Sequence, residues 1–135
     1  MDAAQALADL TEISSQVVDV AIIAEDGTVL ATTIDDAGRA ELFVNGVAKL
    51  VEQAEEAREA RGLADLAQLE AATLEGSVFV VRRAGRMIAA TTRPDPTVGL
   101  VFYDLKHCLR SIEDEAPAKP ARSPRSRKKN ADAPA

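Results

Sequence analysis

The chain has no tryptophan, one cysteine, one histidine, one tyrosine and three phenylalanines in 135 residues. Each scarcity excludes something. A lone Cys108 rules out an intramolecular disulfide and any multi-cysteine zinc site, and with His107 as the single histidine there is no metal-ligand spacing to follow. His107 and Cys108 are neighbours, but adjacent helical residues point about 100° apart and do not form a thiolate–imidazolium pair with each other. Cys108 therefore reads as a small core residue and His107 as a surface one. Few aromatics leave no stacking platform for single-stranded nucleic acid, since Phe43, Phe79 and Phe102 fall on apolar patterns. No run of 18 apolar residues is present, and MDAAQALADL lacks the basic start and apolar centre of a secretory signal. The glycines never join a Gly-Lys-Ser/Thr phosphate loop. The acid pairs Asp35-Asp36 and Glu55-Glu56 fall at an expected helix cap and on an expected solvated face, where nothing would separate their pKa values for acid–base work. The expectation is a soluble, cytoplasmic, non-enzymatic protein without metal or cofactor.

What is present is apolar material for one core, 47% of the chain, and a divided charge. Residues 116–135 carry Lys119, Arg122, Arg125, Arg127, Lys128 and Lys129 against Asp132, a balance of +5, which leaves −11 for residues 1–115 within the overall −6. That tail holds no large apolar side chain and is predicted to be disordered. Its basic run, RSPRSRKK, could bind phosphates of nucleic acid or an anionic membrane, or merely solvate the terminus. Residues 1–115 form the predicted domain.

The spacing of Ala3, Ala6, Leu7, Leu10, Ile13 and Val17 predicts a helix from Asp2 to Val17 with one buried stripe. VDVAIIAEDGTVLATT then reads as a hairpin turning on Glu25-Asp26-Gly27, its first strand apolar on both faces: Val18, Val20 and Ile22 against Ala21 and Ile23. A strand of that kind needs helices on both sides of its sheet. A second helix is predicted from an Asp35-Asp36 cap to about Arg61, stopped by Gly62, and burying Phe43, Val47, Leu50, Val51, Ala54 and Ala57. Gly46 interrupts it at a cost of about 1 kcal/mol relative to alanine. Either the helix lies close against its own sheet there, or a second copy of the helix approaches it.

Three strands are predicted next: Ala67 to Leu74, Ser77 to Arg82 and Arg86 to Thr92. The first alternates Gln68 and Glu70 with Leu69 and Ala71, suiting a sheet edge, and has neither proline nor lysine to discourage pairing with a twin. Val78 to Val81 is a central-strand block. Arg82, Arg83, Arg86 and Arg93 form the basic cluster of this region, either simple turn solvation or an anion contact. Asp95 as cap and Pro96 as first residue open a last helix with Val98, Val101, Phe102, Leu105, Leu109 and Ile112 inside. The fold class is α+β: a five-stranded antiparallel sheet between one helix and two, in the order helix, two strands, helix, three strands, helix.

This arrangement over residues 5–113 resembles the roadblock family, which includes dynein light chains and bacterial GTPase-regulator relatives with a profilin-like sandwich. The resemblance rests on the opening helix before VDVAIIAEDGTVLATT, the Gly46-bearing helix, EGSVFVVRRAGRMIAATT, and the closing PTVGLVFYDLKHCLRSI. It implies a homodimer joined through the long middle helix and the following strand. That places Leu42, Gly46, Lys49, Gln53, Gln68, Leu69, Glu70 and Ala71 at the dimer interface and leaves Glu41, Asn45, Glu52 and Glu56 to a partner, by resemblance a small Ras-like GTPase or another signalling protein. The tail, with Arg122, Arg125, Arg127, Lys128 and Lys129, lies outside the family pattern. Two other readings stand beside this one: a small-molecule sensor, since related sandwiches hold ligands between sheet and helix, and nucleic-acid association through the tail.

Overall fold

A computed structural model describes residues 1–62 and 66–115, without the side chains of 113–115. The basic tail lies outside the described residues. The elements are α1 (Ala3–Ile13), β1 (Val17–Ala24), β2 (Val29–Thr32), α2 (Ala37–Ala60), β3 (Gln68–Thr73), β4 (Gly76–Arg83), β5 (Arg86–Thr92) and α3 (Val98–Glu115). All sheet pairings are antiparallel, in the order β2-β1-β5-β4-β3.

Period-two alternation in the central strands separates two cores. Val20, Ile22, Phe79, Val81, Ile88 and Ala90 point to the α1/α3 face, where they meet Leu7, Leu10, Val101, Leu105 and Leu109. Phe79 packs edge-on against Phe102 with ring centroids 5.0 Å apart. On the other face, Val80 and Ala89 meet Val47 of α2, with Phe43, Val51, Leu69, Val78 and Met87 around them. The helices thus divide one and two across the sheet, as the two-sided hairpin requires.

The local departures from sequence expectation have identifiable causes. The first helix stops at Ile13 because Ser14 is extended (φ −106, ψ 119), and its hydroxyl accepts from the Gln16 N–H. Val17 therefore opens a strand, and Ile13 is 61% exposed rather than buried. A register shift between Val17 and Val20 rolls Val18 outward. The Asp26-Gly27 turn forms as expected, with Gly27 at φ +92 and Ala24 N–H donating to the Thr28 carbonyl. Asp36 caps α2 by accepting from the Arg39 N–H, and Gly62 ends it at φ +68. Asp95 is not the cap of α3: its φ is +59, and the Leu100 and Val101 N–H groups both donate to the Thr97 carbonyl instead. Val98, at 37% exposure, stands outside the stripe assigned to it.

Glu55 does not lie on a solvated face. It accepts from Arg82 of β4 and from Arg58 one turn along, so a carboxylate between two guanidinium groups clasps α2 to the sheet. Arg82, and then Arg58, hold its carboxyl below the ordinary value of 4.5. Because the folded pKa is depressed, this stabilisation is complete above that value and is lost as pH falls through the folded pKa. Acid unfolding followed by circular dichroism should show wild type and Glu55→Gln converging below pH 4.5 and separating above it, wild type the more stable.

Candidate protein-protein interface

The sheet ends at β3, which pairs with β4 alone among the described residues. Arg82 N–H donates to the Ala67 carbonyl at 2.8 Å, which marks 67/82 as a hydrogen-bonded pair. Such pairs alternate along an antiparallel ladder, so Leu69–Val80 and Ala71–Val78 also exchange bonds with β4. The backbone N–H and C=O groups of Gln68, Glu70 and Ala72 then face away from the sheet. This gives a row of donors and acceptors at the pitch another strand requires. Leu69 and Ala71 lean to the α2 face and are half-buried, whereas Gln68, Glu70 and Ala72 are exposed. Ala72 was not among the expected interface residues; the parity of one hydrogen bond identifies it.

Beside this edge lies α2, a helix of 24 residues in which Val47 alone is buried. Phe43, Leu50, Val51 and Ala54 are half-buried and Ala57 is exposed, so the expected six-residue buried side is only partly covered. The explanation of Gly46 as a close contact with its own sheet is overturned: a Cβ built there meets nothing within 4 Å. Leu42 is 75% exposed, and Lys49 and Gln53 are open to solvent on the same stripe. Val44 and Ala48 face a cleft on the β1–β5 side. At 3.6 residues per turn, the opposite flank, carrying Leu42, Gly46 and Gln53, turns toward β3. The candidate dimer residues of helix and strand therefore share one side of the molecule. Glu41, Asn45, Glu52 and Glu56 form a parallel exposed stripe on the outward face.

The other sequence candidates are placed differently. Arg82, Arg83 and Arg86 line the cleft, about 550 Å³, together with Glu25, Asp26 and the apolar wall of Val44, Ala48 and Met87. Its charge is mixed, and Arg82 is already engaged by Glu55. Cys108 is buried in the α1–α3 packing, its thiol donating to the Ala6 carbonyl at 3.5 Å, and burial, with the charge of Asp9, pushes it up to about 11. His107 is exposed and stacks on Tyr103. Among the described residues no group of three His, Cys, Asp or Glu side chains is arranged to hold a metal ion, and no helix is long and apolar enough to cross a membrane.

No family model matches the sequence, and no curated protein matches it. Solved structures do match. A Roadblock/LC7 domain from Streptomyces avermitilis superposes with a TM-score of 0.75 over 84% of this chain and 97% of its own, at 16% identity. The chain has the Roadblock/LC7 fold. The gliding protein MglB from Thermus thermophilus matches with a TM-score of 0.68, 16% identity, and 84% and 90% of the two chains. LokiProfilin2, solved in complex with rabbit actin, matches at 0.57 and 12% identity over 83% and 96%, in keeping with the profilin-like layering. In this chain of Roadblock/LC7 fold the free strand and the underfilled helix lie on the same flank.

Proposed function

We propose that this Roadblock/LC7-fold protein is a non-catalytic homodimeric platform that binds and regulates a small Ras-like GTPase or a related signalling partner. One observation supports the reading most: the outward backbone groups of Gln68, Glu70 and Ala72 lie beside a helix whose Gly46 touches nothing in its own fold. Two β3 strands joined across a two-fold axis would continue the sheet through both protomers, and the paired α2 helices would cover the half-buried Phe43 and Leu50. The acidic stripe of Glu41, Asn45, Glu52 and Glu56 then runs across a double-width surface and attracts a partner with a basic face. The gliding protein MglB shares this fold, and a role in signalling or movement rather than in catalysis is the reading adopted for this chain.

Sedimentation equilibrium at tens of micromolar tests the assembly. A dimer mass is expected, and a monomer alone would overturn the reading. For the partner, affinity capture with mass spectrometry should recover a Ras-like GTPase on the wild type and much less on a Glu52→Lys, Glu56→Lys variant of unchanged dimer mass. Equal recovery on both would remove the acidic stripe from the proposal.

A further inference from the structure

A second feature lies on the opposite side of the sheet. Between α1 and α3 is a cavity of about 250 Å³, its apolar walls including Ala6, Leu10 and Ile13. Three carboxylates also line it: Asp9, Glu12 and Asp104. Asp104 gives it its character, because the residue is only 7% exposed and, among the described residues, no hydrogen bond or ion pair reaches its carboxylate. A carboxylate withdrawn from water without a partner is unfavourable, whereas the same group facing a cation is not. The Met1 amino group and the His107 ring nearby are otherwise engaged. The amino group donates to the Ser111 carbonyl at 3.2 Å, and the ring stacks on Tyr103. The lining groups are not disposed as metal ligands, so the complement of this site is an organic cation.

We propose that the cavity is a receptor for a guanidinium group and that Arg122–Lys129 of the same chain supplies it. Asp104 is the buried anchor, and Asp9 and Glu12 guide the approach. Charge complementarity favours this occupant: the stretch holds Arg122, Arg125, Arg127, Lys128 and Lys129 without an acid, against a body of net −11. Reach permits it as well. Asp104 lies eleven helical residues behind Glu115, about 16 Å at 1.5 Å per residue. Arg122 lies seven residues beyond Glu115, up to about 24 Å of extended chain. A tethered segment also acts at an effective concentration near the millimolar range, ahead of a free partner. An arginine satisfies Asp104 with two parallel bonds, which lysine does not. The docked tail is then withheld from phosphates, and high salt or phosphorylation at Ser123 or Ser126 releases it.

Paramagnetic relaxation in the full-length chain tests this. A nitroxide on Ser126→Cys labels one site, because Cys108 is 3% exposed and its thiol resists ionisation at neutral pH. At low salt the amide signals of Asp9, Glu12, Asp104 and His107 should lose more than half their intensity. That loss should vanish in 0.5 M salt, in Asp104→Asn, and in Arg122→Glu, Arg125→Glu, which leaves the folded body untouched. The proposal is overturned if no attenuation occurs, if it falls only on the acidic stripe of α2, or if it survives both variants.

Discussion

Proline in place of Glu70 should turn the proposed dimer into a monomer at tens of micromolar while leaving the protomer folded. The Glu70 N–H faces away from β4, so proline removes no bond of the chain's own ladder. What it removes is a donor that a second β3 needs, and its ring blocks the close approach of that strand. Association should weaken by 100-fold or more, about 2.7 kcal/mol, read as a halved mass by sedimentation or light scattering. Ala71→Pro is the internal control. Its N–H points to Val78, so it should lower the melting temperature of the protomer itself. If Glu70→Pro keeps the dimer mass of the wild type, β3 does not carry the association.

Gly76→Ala should be among the most destabilising single substitutions in the chain, by about 3 to 5 kcal/mol. Gly76 opens β4 after the Leu74-Glu75 turn at φ +152, a backbone state that side chains disfavour at about 1 to 3 kcal/mol. The second cost is steric. A Cβ at this position runs into the Thr92 carbonyl oxygen at the end of β5, and main-chain oxygen in a paired strand has no rotamer through which to yield. Urea unfolding should show a lower midpoint at an unchanged slope. Gly46→Ala supplies the contrast: a methyl group there meets open space, and the gain in helix propensity should slightly raise the stability of the monomer. A loss below 1 kcal/mol for Gly76→Ala would show that β4 and β5 can separate at this end without penalty.

The layering was legible because it follows from periodicity. Alternation in VDVAIIA and the apolar block around Phe79 fix which faces are buried, and the caps at Asp36 and Gly62 bound the long helix to within a residue. What failed depended on single backbone torsions. Ile13 lies on a sound apolar stripe, and nothing in its spacing announces that Ser14 will turn extended. Val18 obeys the alternation of its strand until the register shift before Val20. Asp95 has the right chemistry for a cap but a left-handed backbone, so Thr97 takes the position. At the candidate interface, the edge character of β3 was visible in its small and polar residues. The Glu55–Arg82 clasp was not, because its partners are 27 positions apart and meet only once α2 lies across β4.

The thin attachment of α2 has a further consequence. A helix fixed to its sheet by one fully covered valine, the half-buried Phe43 and Val51, and the ion pairs Glu55–Arg82 and Arg39–Asp19 would gain further cohesion in the proposed dimer, where a twin closes over it. Thermal resistance of this protein should therefore climb with its abundance, so that dilution alone loosens the long helix before anything else gives way. A cell that makes little of it would hold a weaker molecule, not merely fewer copies.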